Sequence, residues 1–313
     1  VINQNPRNGI KAIIHQTKKT VLTITDVVFI IAPRINAAGR IKHGNYAVEL
    51  LTEMDFDSAV EFAASIEIFN ADRKELDKRI TNEALIQIID NKEEERFSSV
   101  VFQEDWHKGV IGIVASRLIE KYYRPTLVFT KSGDKLAASA RSIKGFDVYN
   151  ALEECSEFIE QFGGHKYAAG LTLLPENYQN FKNKFEEVVE RTIDKKLLTP
   201  EITIDAAIDL SEITPKFFRI IQQMAPFGPM NMKPTFTSTC VRDNGYGKQV
   251  GADKTHLKLN IFQGENQKTY NAIGFNLGAK IALVNDEFDI VYALDENEWN
   301  GRKTVQLLLK DLK

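Results

Sequence analysis

Cysteine is nearly missing from this 313-residue sequence: Cys155 and Cys240 lie far apart and form no Cys-x-x-Cys pair, which excludes a disulfide framework and a zinc ribbon. Long apolar runs are missing too. The longest covers residues 27–32, far short of the ~20 residues that a membrane-spanning helix needs, and no charged-then-apolar leader opens the chain. These absences point to a protein of a reducing cytoplasm. The five histidines are scattered without a His-x-x-x-His pair, and Asp55-x-Asp57 has no histidine beside it, so the residues predict no metal cage of their own. No Gly-x-Ser-x-Gly elbow supports a nucleophilic triad. Charge is not one-sided either, since 40 basic against 43 acidic residues leave a formal charge of -3.

That average hides a local field. Between Lys108 and Lys144 stand eight basic residues and two acidic ones, a concentration suited to an anionic partner. At about twice the ~150-residue prior for one domain, the chain is long enough for two or more cores. It begins with Val-Ile-Asn and is apolar-periodic by Gly9, so a piece of something longer is expected.

Residues 1–55 read as short helices and turns, with Asn8 and Asn45 as candidate caps. From Ser58 to Asn91 there is no Pro or Gly, and Ser58-x-x-Glu61 fits a capping box; at 1.5 Å per residue the helix would reach ~50 Å, a strut between lobes. After Glu93-Glu94-Glu95 the pattern alternates short strands with helices. From Glu201 onward close-spaced β segments recur at 235–242, 255–262, 269–275, 288–294 and 304–310, with Asn300-Gly301 as a hairpin turn. The fold class expected is α/β plus all-β, the latter a small barrel or sandwich.

Three segments could hold an anion. Phe162-Gly163-Gly164-His165 pairs glycines, which let a ligand approach the backbone, with a histidine; it reads equally as a turn entering a helix. Ser139-Ala140-Arg141-Ser142 alternates hydroxyls with a guanidinium able to grip two phosphate oxygens, or is an edge strand with a solvated arginine. Arg34-Ile35-Asn36-Ala37-Ala38-Gly39-Arg40 sets two arginines around a small-residue turn, or is a solvated loop. The glycines of Lys108-Gly109-Val110-Ile111-Gly112 at a helix start fit core packing or a phosphate. In the β-rich end Arg242, Lys248, Lys254 and Lys258 interleave with Tyr246 and Phe262, the mixture of charge and rings that a single nucleic-acid strand needs, or are ordinary surface residues of a barrel.

These motifs, in this order and together with residues 225–236 (Ala225-Pro226-Phe227-Gly228-Pro229 onward), resemble the RecJ family of the DHH phosphoesterase superfamily. The resemblance implies a single-strand-specific 5′ to 3′ exodeoxyribonuclease of DNA repair and recombination. By it, residues 1–56 are the end of a DHH domain, 57–92 a long connecting helix, 93–198 a DHH-associated α/β domain and 199–313 an OB-fold β-barrel. Manganese or magnesium would be held by aspartates and histidines of a DHH lobe, and no Asp-His-His occurs here, so the chain alone is expected to be inactive. The resemblance further implies that Arg34, Asn36 and Arg40 face the phosphate-binding cleft and that Ser139, Arg141, Ser142, Gly163, Gly164 and His165 grip the DNA backbone near the scissile bond, His165 as a phosphate or transition-state contact. Arg242, Tyr246, Lys248, Lys254 and Lys258 of the OB domain would hold the strand. Single-stranded DNA is the implied partner, with single-strand-binding protein or a helicase as further candidates. The alternatives are a DHH-family phosphodiesterase for short oligonucleotides or cyclic dinucleotides, which the C-terminal β domain argues against, and a non-catalytic OB-fold adaptor for a protein partner.

Overall fold

The computed structural model describes residues 2–17, 19–299 and 301–313, with only the backbone of Asn266, Gln267 and Trp299. The chain divides into two compact units, Val1–Pro200 and Glu201–Lys313.

The first unit starts with helices α1 (Asn8–His15), α2 (Ile24–Asp26), α3 (Ala32–Ile41) and α4 (Asn45–Thr52), followed by the 35-residue α5 (Phe56–Asp90). Asn8 caps nothing; its amide donates to the Met54 carbonyl at 2.6 Å. Gly9 lets α1 cross α4 at backbone contact, since a Cβ there would lie 1.9 Å from the Leu50 oxygen. The cap of α5 is Asp55, whose carboxylate accepts from the Ser58 N–H at 2.8 Å, three residues before the Ser58 position the capping-box pattern suggested. An aspartate with β-region dihedrals simply satisfies the orphan N–H first.

The buried stripe of α5 changes partner along its length. Ala59, Ala63 and Ile66 join Ala12, Ile13 and Leu50 in one core, whereas Ile80, Ala84 and Ile88 join Val101, Val114 and Leu118 in another. Asn70 and Asp77 occupy the same stripe between them. A 3.6-residue period thus serves two cores with one helix.

Then follow β1 (Ser99–Phe102), α6 (Ile111–Lys121), β2 (Thr126–Ser132), β3 (Lys135–Arg141), α7 (Val148–Glu153), β4 (Gln161–His165), β5 (Ala168–Leu173) and α8 (Tyr178–Thr192). The sheet order is β1-β2-β3-β5-β4, with only the β1–β2 pair parallel. Leu136, Ala138, Ala140, Leu171 and Leu173 face Phe181, Phe185 and Val189 of α8. Val101 and Val128 of the opposite face lie under α6. The 93–99 connector is tied down by polar groups: the buried Arg124 guanidinium donates to the carbonyls of Glu93 and Glu94 at 2.9 and 2.7 Å, and Lys182 pairs with Glu93 at 2.7 Å.

The second unit holds β6 (Ala206–Ala207), α9 (Pro215–Gln223), β7 (Thr235–Asp243), β8 (Lys248–Val250), β9 (His256–Gln263), β10 (Asn266–Gly274), β11 (Phe288–Trp299) and β12 (Arg302–Leu312). Pairings run β7-β11-β12-β10-β9, and the residues Val241 to Asp243 of β7 pair back to β9, so five strands form a ring. Only β10–β12 and the short β6–β7 pair are parallel. This is the Greek-key connectivity of an OB-fold. Strict alternation drives it: Leu257, Leu259 and Ile261 point inward from β9, while His256, Lys258 and Asn260 do not. Asn300 of the expected Asn-Gly turn lies outside the described residues; the ladder closes at the Trp299–Arg302 pair.

Candidate functional site

Beyond α6 the face of the first sheet is bare. Ser139, Gly170 and Gly163 stand in one row across β3, β5 and β4, and Arg141, Ala168 and His165 in the next row, two residues along. The period of two puts all six on the same face as Val128, which pairs with Ser139. The opposite face of these strands is filled by α7 and α8, whereas this one is paved with small residues. The paired glycines are therefore part of an edge strand, not a turn into a helix. Gly164 needs its glycine for a different reason: its φ of +153° and a Cβ position 2.3 Å from the Ala168 oxygen leave no room for a side chain.

A cleft of about 330 Å³ opens beside Ser139 and Arg141, and into it come Arg40 from the end of α3, Lys108, and Gly112 from the first turn of α6. Two glycines make the convergence possible. A Cβ on Gly109 would lie 2.1 Å from the Arg40 oxygen, and one on Gly112 would lie 2.9 Å from both Arg141 Nη2 and Ser139 Oγ. Arg40 Nη1 donates to the Gly109 carbonyl at 3.1 Å, and Arg141 Nη1 to Ser139 Oγ at 3.0 Å. The Arg34–Arg40 segment is thus helix α3, not a turn, and packing against Gly109 aims its last arginine.

The lining of the cleft is electropositive. No Asp or Glu lines it, and Arg40, Lys108 and Arg141 form no ion pair among the described residues. Burial, and secondarily the Arg40 charge, pull the Arg141 guanidinium below its ordinary pKa; an anion between them would relieve both. The N-terminal turn of α6 adds a positive helix pole.

The other candidates fall elsewhere in the first unit. Arg34 is held by Glu67 of α5 at 2.5 Å and donates to the Ile30 carbonyl, and Asn36 is exposed, so neither lines the cleft. Ser142 donates to the Phe146 carbonyl at 2.9 Å and shapes the loop after β3. His165 is exposed at the sheet edge, where its Nδ1 accepts from the Tyr167 N–H at 3.2 Å.

In the second unit a cleft of about 520 Å³ is lined by Asn244, Gly245, Tyr246, Asn260 and Asn271. Register sets Lys248 beside Lys258, and their ammonium groups lie 4.3 and 5.9 Å from the centroid of the exposed Tyr246 ring. Hydrogen bonding to Lys248, followed by the two lysine charges, lowers the Tyr246 phenol pKa. Arg242 is neutralised by Glu287 at 2.6 Å, and Lys254 sits in a separate turn at φ +53°. Sequence reasoning missed an amide ladder: Asn244 donates to Asn260 at 2.6 Å and Asn260 to Asn271 at 3.2 Å. The outward period through His256, Lys258 and Asn260 was the available signal.

Among the described residues no three His, Cys, Asp or Glu side chains come together as a metal-ligand set, and no helix is long and apolar enough to cross a membrane.

Comparison with known proteins places two domains on the chain. The DHHA1 domain matches residues 95–191 and the RecJ OB domain residues 204–311. The single-stranded-DNA-specific exonuclease RecJ of Bacillus subtilis (strain 168) is 34% identical over 288 residues, covering 90% of this chain and 36% of that protein. The protein of the same name from Escherichia coli (strain K12) is 30% identical over 322 residues, covering 98% and 54%. The crystal structure of RecJ in complex with Mg2+ from Thermus thermophilus matches with a TM-score of 0.85 and 25% identity over 100% of this chain and 47% of that one; its Mn2+ counterpart matches at 0.83 and 25%, over 100% and 45%. The chain spans roughly a third to a half of the length of these curated relatives.

Proposed function

We propose that this chain, which carries a DHHA1 domain and a RecJ OB domain, is part of a RecJ-family protein and supplies the DNA-backbone contacts of a single-strand-specific 5′ to 3′ exodeoxyribonuclease acting in DNA repair and recombination. The observation that carries the proposal is the convergence of Arg40, Lys108, Ser139 and Arg141 on a cleft with no carboxylate, beside a sheet face floored by Gly163 and Gly170.

Phosphate oxygens of the strand take the two guanidiniums, Arg141 being held in place by Ser139 and Arg40 by the Gly109 carbonyl. The glycine floor lets the sugar-phosphate backbone lie against the sheet, with His165 at its edge as a further donor. These groups position the strand and neutralise charge on its phosphates. On the OB-fold, Tyr246 offers a stacking face and Lys248 and Lys258 flank it, a combination that tolerates any base.

The related structures are complexes with Mg2+ or Mn2+. The described residues of this chain do not fit such an ion, since they assemble no ligand set, and no metal-dependent step is assigned to them. The chain by itself is therefore proposed to bind single strands without cleaving them, and to act in the company of a single-strand-binding protein or a helicase.

The test pairs binding with cleavage. The purified chain should hold a 5′-phosphorylated single strand, and Arg141→Ala should weaken it by about tenfold or more, as loss of a charged hydrogen-bonding group implies. Manganese-dependent nucleotide release by the chain, above that of a mock purification, would overturn the inactive half of the proposal.

A further inference from the structure

A groove of about 390 Å³ runs along the middle of α5, on the stretch where its buried stripe passes from one core to the other. Arg73, Lys74, Asp77, Lys78 and Thr81 line it from one face of α5, and Arg117 from α6. Asn82 of α5 also lines it, and Asp72 and Glu75 do not. Four cations thus surround one carboxylate, and Arg117 also pairs with Glu120 of α6 at 3.2 Å.

The bonding inside the groove is incomplete. Asp77 Oδ2 lies 3.9 Å from both Arg73 Nη1 and Arg117 Nε, beyond hydrogen-bond reach, although the residue is only 8% exposed. Its other oxygen, Oδ1, and the Thr81 hydroxyl are buried with no partner. Arginines serving only to anchor α6 on α5 would close on that carboxylate at ~2.7–2.9 Å. Here they stand off it, Arg73 reaching instead to Asn70 at 3.0 Å, and Lys74 and Lys78 form no ion pair among the described residues.

The groove also shares a field with the cleft. The Arg40 charge reaches both, weakly favouring the ionised Asp77 carboxylate and disfavouring the charged Arg141 guanidinium, and α6 contributes Gly112 to the cleft and Arg117 to the groove.

We propose that the α5–α6 groove is a second seat for the phosphodiester backbone of the strand held at the cleft, with Asp77 as an internal brake on its affinity. The proposal rests on the cleft being a strand-binding site. Phosphate oxygens accept from Arg73, Lys74, Lys78 and Arg117, and the ionised Asp77 carboxylate opposes them at close range.

Two variants of the whole chain give opposite signs. Lys74→Glu with Lys78→Glu changes exposed residues of one helix face, and Asp77→Asn keeps the shape of the side chain. Binding of a 5′-phosphorylated ~20-nucleotide single strand is followed by fluorescence anisotropy over a salt series, beside a ~4-nucleotide strand that reaches the cleft alone. The lysine variant should weaken the long strand and lower its salt slope by about 1.4, two phosphate contacts at ~0.7 each, while leaving the short strand unchanged. Asp77→Asn should tighten the long strand severalfold at neutral pH. An unchanged affinity and slope for the lysine variant, with Arg141→Ala still weakening both strands, would overturn the groove and leave the cleft standing. Unchanged or weaker binding by Asp77→Asn would remove the brake, and no binding of either strand by the wild type would overturn groove and cleft together.

Discussion

Two glycines to which the fold gives different reasons for existing should respond to alanine with opposite signs. At Gly109 the added methyl would sit 2.1 Å from the Arg40 oxygen and 2.9 Å from its carbonyl carbon, against an ordinary contact of 3.4 Å or more. Both partners are backbone, so relief requires the end of α3 to move away from the start of α6 by about 1 Å, an overpacking of ~1–3 kcal/mol. Loss of the Arg40 bond to the Gly109 carbonyl adds ~0.5–1.5 kcal/mol. Gly109→Ala should therefore destabilise the first unit by ~2–4 kcal/mol and also misplace Arg40. At Gly163 nothing lies within 4 Å of the added methyl and φ is ordinary. Gly163→Ala should be stable, gaining up to ~0.4–1 kcal/mol from the unfolded state, yet bind single strands more weakly because the methyl stands where the backbone must come down. Urea unfolding followed by circular dichroism reads the first effect and anisotropy the second. Wild-type binding by Gly163→Ala would refute the role of the bare sheet face, and wild-type stability of Gly109→Ala would refute the close approach of α3 to α6.

Glu93→Gln leaves the Lys182 ammonium buried at 8% side-chain exposure without its partner, and should cost ~3–5 kcal/mol in urea unfolding; a loss under ~1 kcal/mol would contradict the buried pair. Tyr246→Ala should cost ~1–3 kcal/mol of single-strand affinity, whereas Arg242→Ala should change it little because Glu287 already neutralises that charge; the reverse ranking in anisotropy would displace the contact surface. Desolvation raises the Asp77 carboxyl pKa from its ordinary 3.8 in spite of Arg117 and Arg73. The folded state then holds that proton more tightly than the unfolded one, so stability falls as pH rises from 3.8 through the raised value and is level above it. Asp77→Asn should accordingly be the more stable protein at pH 7, with the difference vanishing in acid; a less stable variant at pH 7 would reverse the sign.

Where local rules dominate, the sequence was readable. The alternation through β9 and the Pro- and Gly-free stretch of α5 are patterns of single elements, and the elements follow them. The register of α5 at its start was not readable, because Asp55 and Ser58 are both good caps and only the chain path selects between them. The Arg34–Arg40 segment reads as a turn from its small residues, yet those residues are what let α3 pack tightly, with Ala37 and Ala38 fully buried. Gly163 and Gly164 likewise read as a turn because glycine weakens strands, and only pairing of β4 with β5 explains them. The cleft draws on Arg40, on Ser139 and Arg141, and on the Lys108–Gly112 start of α6, which the sequence offers as separate segments, whereas Gly163 to His165 do not line it; the meeting of the three depends on contacts between Arg40 and Gly109, and between Gly112 and Ser139, that no local pattern encodes.

The most direct test of the central claim is an anisotropy titration of this chain with a 5′-phosphorylated single strand and with a blunt duplex of the same sequence, at low and moderate salt. The cleft and the OB face predict tighter binding of the single strand, with an affinity that falls linearly on a logarithmic salt scale. Equal or tighter binding of the duplex, or single-strand binding indifferent to salt, would contradict a backbone clamp built from Arg40, Lys108 and Arg141.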